Sequence, residues 1–554
     1  MPIPTGERPF DHLAADLVAA QCEANPLLGT SLGLTEYDEL LPDLSVDGIA
    51  RRERAEDAWT QRLRDLPDGE LTPDERIDRD LALMSLRGRE LMRNWADWRR
   101  SPDHYAGTAL SSVFLLLTHR VRTGTELAKA VAARLRATPA LLAQGAANLD
   151  PALAHPALLR RSLGQIAAGA SYARSVADEF EDPADAAPVR DAGEVAATAY
   201  LAFGEHVSAL VDRATGDWAI GEERYSALLT EAEGLGYGAR DLRAIGQAAF
   251  DELAADMAAR AQELRGTDDY IAVVKSFNED HPATPEAMLA LYREATDAAR
   301  AFCVEHDLVT MPEGESCEVA PSAPFSRAML AVAHYFAPPP FAPPRAGSHV
   351  AGVGYFFVPY PPDGATPEQI TARLATNNEH GAWSIAVHEA YPGHHWHLAW
   401  LSWNAAKGRA RPLRFVLGSA YFVEGWGLYT EDLLREQGFF RTKEQELAQR
   451  DFRLFRAARI IVDTSLHLGE MTIEEATEFM ATRTSLSRET AAAEVLRYCA
   501  WPTQASSYLT GALEIARMRQ RWEAEERGTL KEFHDQAGGS GRLPIGLVER
   551  TLFA

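Results

Sequence analysis

The stretch HEAYPGHHWH, His388–His397, places four of the chain's 16 histidines within ten residues, with a Glu directly after the first. A helical zinc site usually reads His-Glu-x-x-His, because residues i and i+4 share one face and the Glu acts as base. Here the i+4 position is Pro392, which cannot bind a metal. On a regular helix His394 points roughly 120° away from His388, and His395 shares the face but lies about 10 Å along the axis. Pro392 removes a backbone donor and clashes with the carbonyl four residues back, and Gly393 tolerates unusual dihedrals. Looping out two residues there returns His394 to the role that i+4 normally plays. The stretch therefore predicts a bulged metal-binding motif. His388 and His394 are its ligands, Glu389 its base, and His395 and His397 the alternates.

A zinc ion takes about four ligands, with His nitrogens at roughly 2.0–2.1 Å. Beyond His394, SAYFVEGWGLYTEDLLRE (419–436), with Glu424 thirty residues on from His394, opens another helical stretch. Glu424 stands near its start among apolar and aromatic residues, where a carboxylate needs a partner. It is the expected third ligand. Glu431, seven residues on and on the same face, is the expected acceptor for the other ring nitrogen of a ligand histidine. His395 is placed in that same supporting layer.

Working outward, most of the chain reads helical. TELAKAVAARLRATPALLAQGAANL (125–149) and ARDLRAIGQAAFDELAADMAARAQEL (239–264) repeat apolar residues at three- and four-residue spacing. Thr284-Pro285 has the cap and early proline of a helix start, and Asn377 and Asn378 are caps for the helix that leads into His388. The run from Ala337 to Pro344 holds five prolines and cannot be helical, so it reads as a stiff connector. After it, GVGYFFVPYPPDG (352–364) reads as a strand stopped by Pro359, which suits a sheet edge. Tyr355 on that strand is a candidate for substrate contact, with the edge pairing to an extended peptide. The expected architecture is mostly α: a helical region 1–336 and a metal-site region 337–554 around a cleft, with a small β element beside the metal.

Asp and Glu total 80 against 55 Lys and Arg, a formal charge of −25. That balance argues against nucleic acid and anionic membranes as partners, since both call for clustered cations. No apolar run approaches the ~18 residues of a membrane span. The N-terminus shows no basic region leading into an apolar one, and the four cysteines form no CxxC motif. A cytoplasmic protein with free thiols is expected.

HEAYPGHHWH followed by VEGWGLYTED resembles the bacterial family catalogued as domain of unknown function 885. RYCAWPTQASSYLTG (497–511), EFHDQAGGSGRLPIGLVE (532–549) and the opening NPLLGTSLGLTEYDELLPDLS resemble it too, so the resemblance spans nearly the whole chain. The family resembles gluzincin zinc peptidases. That resemblance implies His388, His394 and Glu424 as zinc ligands and Glu389 as general base. Within the C-terminal signature, Tyr508 is the candidate oxyanion donor, and Arg497 and His534 are candidates for binding a substrate carboxylate or assisting charge stabilisation. Two departures stand out: His397 where many relatives have Gln, and Leu509 where a Lys is common. The expected function is a Zn2+-dependent metallopeptidase of carboxypeptidase or oligopeptidase type acting on short peptides. Two alternatives are a non-haem iron enzyme on the same ligands and a catalytically idle peptide-binding protein.

Overall fold

The periodic stretches fold as helices in the computed structural model, which describes residues 6–323, 326–327, 332–342, 353–405, 407 and 411–554. Long helices carry most of the chain: α1 (Gly124–Asn148), α2 (Pro156–Ser175), α3 (Pro183–Val211), α4 (Ala239–Arg265) and α5 (Pro285–Glu305). Thr284 caps α5, its side chain accepting from Ala287 N–H, with Pro285 at the first helical position. The architecture is mostly α.

Two compact units divide the chain. The first comprises Met1–Trp218 with the short pieces Pro338–Pro344 and Ala410–Leu417; the second comprises Ala219–Ala337, Arg345–Arg409 and Gly418–Ala554. The first is a helical unit in which α3 lies against both α1 and α2. Their facing sides bury Val131, Leu159, Val189 and Phe203.

The boundary expected at 336/337 does not separate these units. The reason is helix packing: α4 lies against α9 (Lys443–His467), and α5 against α6 (Gly381–Glu389). Residues 219–337 therefore belong with the motif region. The described part of the proline run, 337–342, is neither helix nor strand. Its Phe341 N–H donates to Leu32 O at 2.9 Å. Pro343 and Pro344 lie outside the described residues.

The second unit holds a three-stranded sheet of β1 (Cys317–Pro321), β2 (His334–Phe336) and β3 (Gly354–Val358), in the order β1-β3-β2. β1 pairs parallel to β3 with Val319 opposite Phe356, and β2 pairs antiparallel with Tyr335 opposite Phe356. This corrects the edge expected for 352–364. β3 is the central strand, filled on both sides, and Gly352 lies outside the described residues. Pro359 stops the strand without exposing it, because it falls one residue past the pairing. Of the two outer strands, β2 lies at the candidate site.

The remaining helices of that site are α7 (His394–Asn404), α8 (Ala420–Glu436), α10 (Arg488–Ala500), α11 (Ser507–Ala524) and α12 (Leu530–Gly539). The fully buried Trp396 of α7 and Trp426 of α8 stack with ring centroids 5.5 Å apart. Such a pair contributes about 0.5–1.5 kcal/mol beyond its area. No helix among the described residues is long and apolar enough to cross a membrane, and all four cysteines are free thiols.

Candidate metal centre

The Pro-Gly pair interrupts the motif more deeply than a bulge. α6 ends at Glu389 and α7 begins at His394, so Ala390–Gly393 forms a four-residue break. Asn378 prepares the start of α6, its Oδ1 accepting from Gly381 N–H at 2.9 Å. In the break, the Pro392 carbonyl accepts from Trp426 Nε1 at 2.8 Å. A Cβ on Gly393 would fall 1.9 Å from the His388 carbonyl oxygen, so only glycine allows this return. The new helix then carries His394 back towards His388, with ring centroids 4.7 Å apart.

Glu424 completes a triad. Its Oε2 lies 3.7 Å from Nε2 of His388 and 3.7 Å from Nε2 of His394. All three ligating atoms lie within 4.8 Å of one another. Ligands at zinc distances around a tetrahedral ion are separated by about 3.3 Å, so small side-chain adjustments would close the shell. The electrostatics suit a cation. Burial disfavours charge on His388, yet Glu424 and Glu431 outweigh it and raise its pKa to about 10. Against its own burial, Glu424 is held far below the usual carboxylate range by the two histidines. Two nitrogens and one carboxylate fit zinc or Fe(II).

Glu431 lies against the other ring nitrogen of His388. Its Oε1 lies 2.8 Å from His388 Nδ1, and its Oε2 accepts from Ser384 on α6 at 2.5 Å. That fixes His388 with Nε2 free for a metal. His394 Nδ1, by contrast, is buried without a hydrogen-bond partner among the described residues. The EGWG run explains itself in three dimensions. A Cβ on Gly427 would meet the His388 ring at 2.6 Å, and Gly425 packs against Gly511 of α11, where a Cβ would come within 2.5 Å of backbone. That close crossing brings Tyr508, three residues before Gly511, to the cavity that holds Glu424.

A cavity of about 460 Å³ contains His388, Glu389, His394, Glu424, Glu431 and Tyr508. Its described lining comes from the second unit alone. Glu389 is half-buried, and its Oε2 accepts from the Tyr335 N–H of β2 at 2.7 Å. The Tyr508 hydroxyl accepts from Gln504 Nε2 at 3.4 Å, and burial raises its pKa.

Several expected residues lie elsewhere. His395 points away from the triad: its Nε2 is 2.8 Å from Glu315 and its Nδ1 3.1 Å from the Tyr335 hydroxyl. One residue along a helix turns a side chain by about 100°, which is why neighbours of a ligand face other partners. His395 thus supports β2, and through it the Tyr335 N–H on Glu389. His397 is buried against Gly541 O, at 3.2 Å. His534 is buried between Leu308 O and the Tyr429 hydroxyl, and burial lowers its pKa to about 4. Arg497 is taken up by Glu494 and Gln504. Tyr355 stacks on Phe357 within the sheet. None of these five lines the cavity. Residues that do, and that the sequence reading missed, are Arg456 and Arg459 of α9. Their signal was the three-residue spacing of arginines in RDFRLFRAAR (450–459).

The family described as bacterial protein of unknown function, DUF885, matches residues 26–552. The chain belongs to this family. Two solved structures share its fold. One, titled as a "putative lipoprotein of unknown function" from Shewanella oneidensis, is 19% identical with a TM-score of 0.79, covering 99% of this chain and 100% of that one. The other, titled as a "putative lipoprotein" from Colwellia psychrerythraea, is 17% identical with a TM-score of 0.82, covering 98% of each. No curated protein matches the chain.

For this DUF885 member, the Glu431–His388 bond carries a first prediction. Glu431→Gln should weaken zinc binding about 10–100-fold, since partners that orient a metal-bound His typically contribute that much. Competition against a chromogenic chelator would measure it, and an unchanged affinity would remove Glu431 from the account.

Proposed function

We propose that the chain is a zinc-dependent hydrolase of short peptides, with His388, His394 and Glu424 as ligands and Glu389 as general base. The observation that carries this reading is the convergence of the three ligating atoms, within 4.8 Å, in a cavity that Glu389 also lines. A zinc ion bound there would supply a Lewis acid for the scissile carbonyl and a water with pKa near ~7. Glu389, fixed through one oxygen by Tyr335 N–H, keeps its other oxygen to take the proton of that water and hand it to the leaving amine. The Tyr508 phenol, kept protonated by burial, is a donor for the developing oxyanion. An Fe(II) oxygen chemistry would have no use for a carboxylate beside the first ligand, so Glu389 favours hydrolysis.

Substrate size follows from the cavity. At about 460 Å³ it falls in the range of ~300–1,000 Å³ that takes small ligands. A peptide of a few residues could run beside β2, whose His334 and Tyr335 line the cavity, by main-chain pairing. The test is digestion of a mixed set of short peptides and of a folded protein, read by mass spectrometry. New termini should appear in the peptides alone, vanish with chelator and return with zinc. No cleavage of any peptide, or cleavage indifferent to chelator, would contradict the proposal.

A further inference from the structure

Four arginines follow one another at three-residue spacing on α9: Arg450, Arg453, Arg456 and Arg459. Arginines withdrawn from water are costly unless they find acceptors. Arg450 pairs with Asp256 and Arg453 with Asp432. Arg459 Nη2 lies 2.9 Å from Glu494 Oε2. Arg456 differs from the other three, having no carboxylate partner among the described residues. Its Nη1 donates to the Phe452 carbonyl of its own helix at 3.1 Å, and its Nε is buried without an acceptor among the described residues. The guanidinium lies near the rings of Phe452, Phe455 and Tyr508, at 5.4, 5.6 and 5.9 Å from their centroids. It lines the same cavity as the triad. A guanidinium stays charged at any working pH. Glu424 and Glu431 lie in that cavity too, but a divalent cation on the triad would compensate their charge. Asp451 and Glu389 line it as well, but they accept from Ser485 and from the Tyr335 N–H, so none of the cavity's described carboxylates is hydrogen-bonded to Arg456.

We infer that Arg456 binds a carboxylate of the substrate, so that the peptides taken are acids positioned by that group beside the metal. This rests on the hydrolase reading above. It transfers to Arg456 the role the sequence suggested for Arg497, whose donors are already engaged by Glu494 and Gln504. An Arg–carboxylate pair can form two parallel hydrogen bonds, which orients the ligand as well as holding it. Two sources of the carboxylate share this chemistry, the peptide's C-terminus and an acidic side chain near it.

The experiment uses the full-length, zinc-loaded protein and titration calorimetry. Three N-methylated, non-cleavable tripeptides are compared: an all-alanine free acid, its C-terminal amide, and an amide with Glu in place of one Ala. Wild type should bind one of the two carboxylate-bearing peptides about 10- to 100-fold more tightly than the all-alanine amide. The free acid as the tighter ligand assigns the C-terminus; the Glu-containing amide assigns a side chain. Arg456→Gln should bring all three within about twofold of one another, while Arg456→Lys keeps part of the preference. Zinc content and melting temperature show that the variants are folded. A preference that survives in a folded Arg456→Gln, or no preference in wild type, would overturn the inference. A protein that cleaves no peptide yet shows a preference dependent on Arg456 would refute the hydrolase reading and leave the carboxylate site standing.

Discussion

Replacing Glu389 by Gln is expected to lower peptide hydrolysis by about 10²–10⁴-fold while leaving zinc bound, because an amide cannot accept the proton of the attacking water. The geometry makes this a clean test. Glu389 is not one of the three converging ligands, and its contact is the Tyr335 N–H at 2.7 Å. A glutamine oxygen can accept that same bond, so the substitution removes the base and keeps the scaffold. The measurement is kcat/KM on a short peptide beside zinc content by elemental analysis. A loss smaller than about tenfold would mean that Glu389 is not the base. A large loss accompanied by loss of zinc would mean that it acts on the metal shell instead.

Tyr508→Phe is expected to lower kcat by about 10²–10³-fold with little change in KM, the signature of a donor used only in the transition state. The phenol is suited to this. Gln504 donates to its oxygen at 3.4 Å, so its own proton remains available. The ring is held by α11, which the Gly425–Gly511 crossing sets against the helix of Glu424. Phe keeps the ring, its place beside Arg459 at 4.8 Å and its packing, and removes only the hydroxyl. Equal turnover in the two proteins would make Tyr508 a wall of the cavity and nothing more. A rise in KM with kcat unchanged would assign it to substrate binding.

What the sequence made legible is what chemistry writes locally. His388, Glu389 and His394 fall within seven residues, and their relation depends only on whether the helix is interrupted; Pro392 and Gly393 announce that it is. Glu424 and Glu431 could be read because a carboxylate in an apolar helix asks for a partner, and seven residues restore the same face. The long helices were legible from periodicity for the same reason.

What stayed hidden depends on partners distant in the chain. Nothing in GYFFV says that β1 and β2 will occupy both its sides, since those strands are three to five residues long and carry no strong alternation of their own. His395 looks like a ligand until Glu315, 80 residues earlier, claims it. Arg497 and Arg456 are indistinguishable as letters. Only the packing of α9 and α10 shows that Glu494 serves Arg459 and Arg497 while Arg456 is left facing the cavity. The unit boundary was misplaced because prolines mark where a helix cannot continue, whereas a compact unit is set by which helices bury each other's faces.

His388, His394 and Glu424 are proposed to form a zinc centre in this chain. Elemental analysis of protein purified without added metal tests it most directly, applied to wild type, His394→Ala and His395→Gln. About one zinc per chain is expected in wild type and in His395→Gln, and none in His394→Ala. Iron in place of zinc, or full zinc occupancy in His394→Ala with loss in His395→Gln, would contradict it.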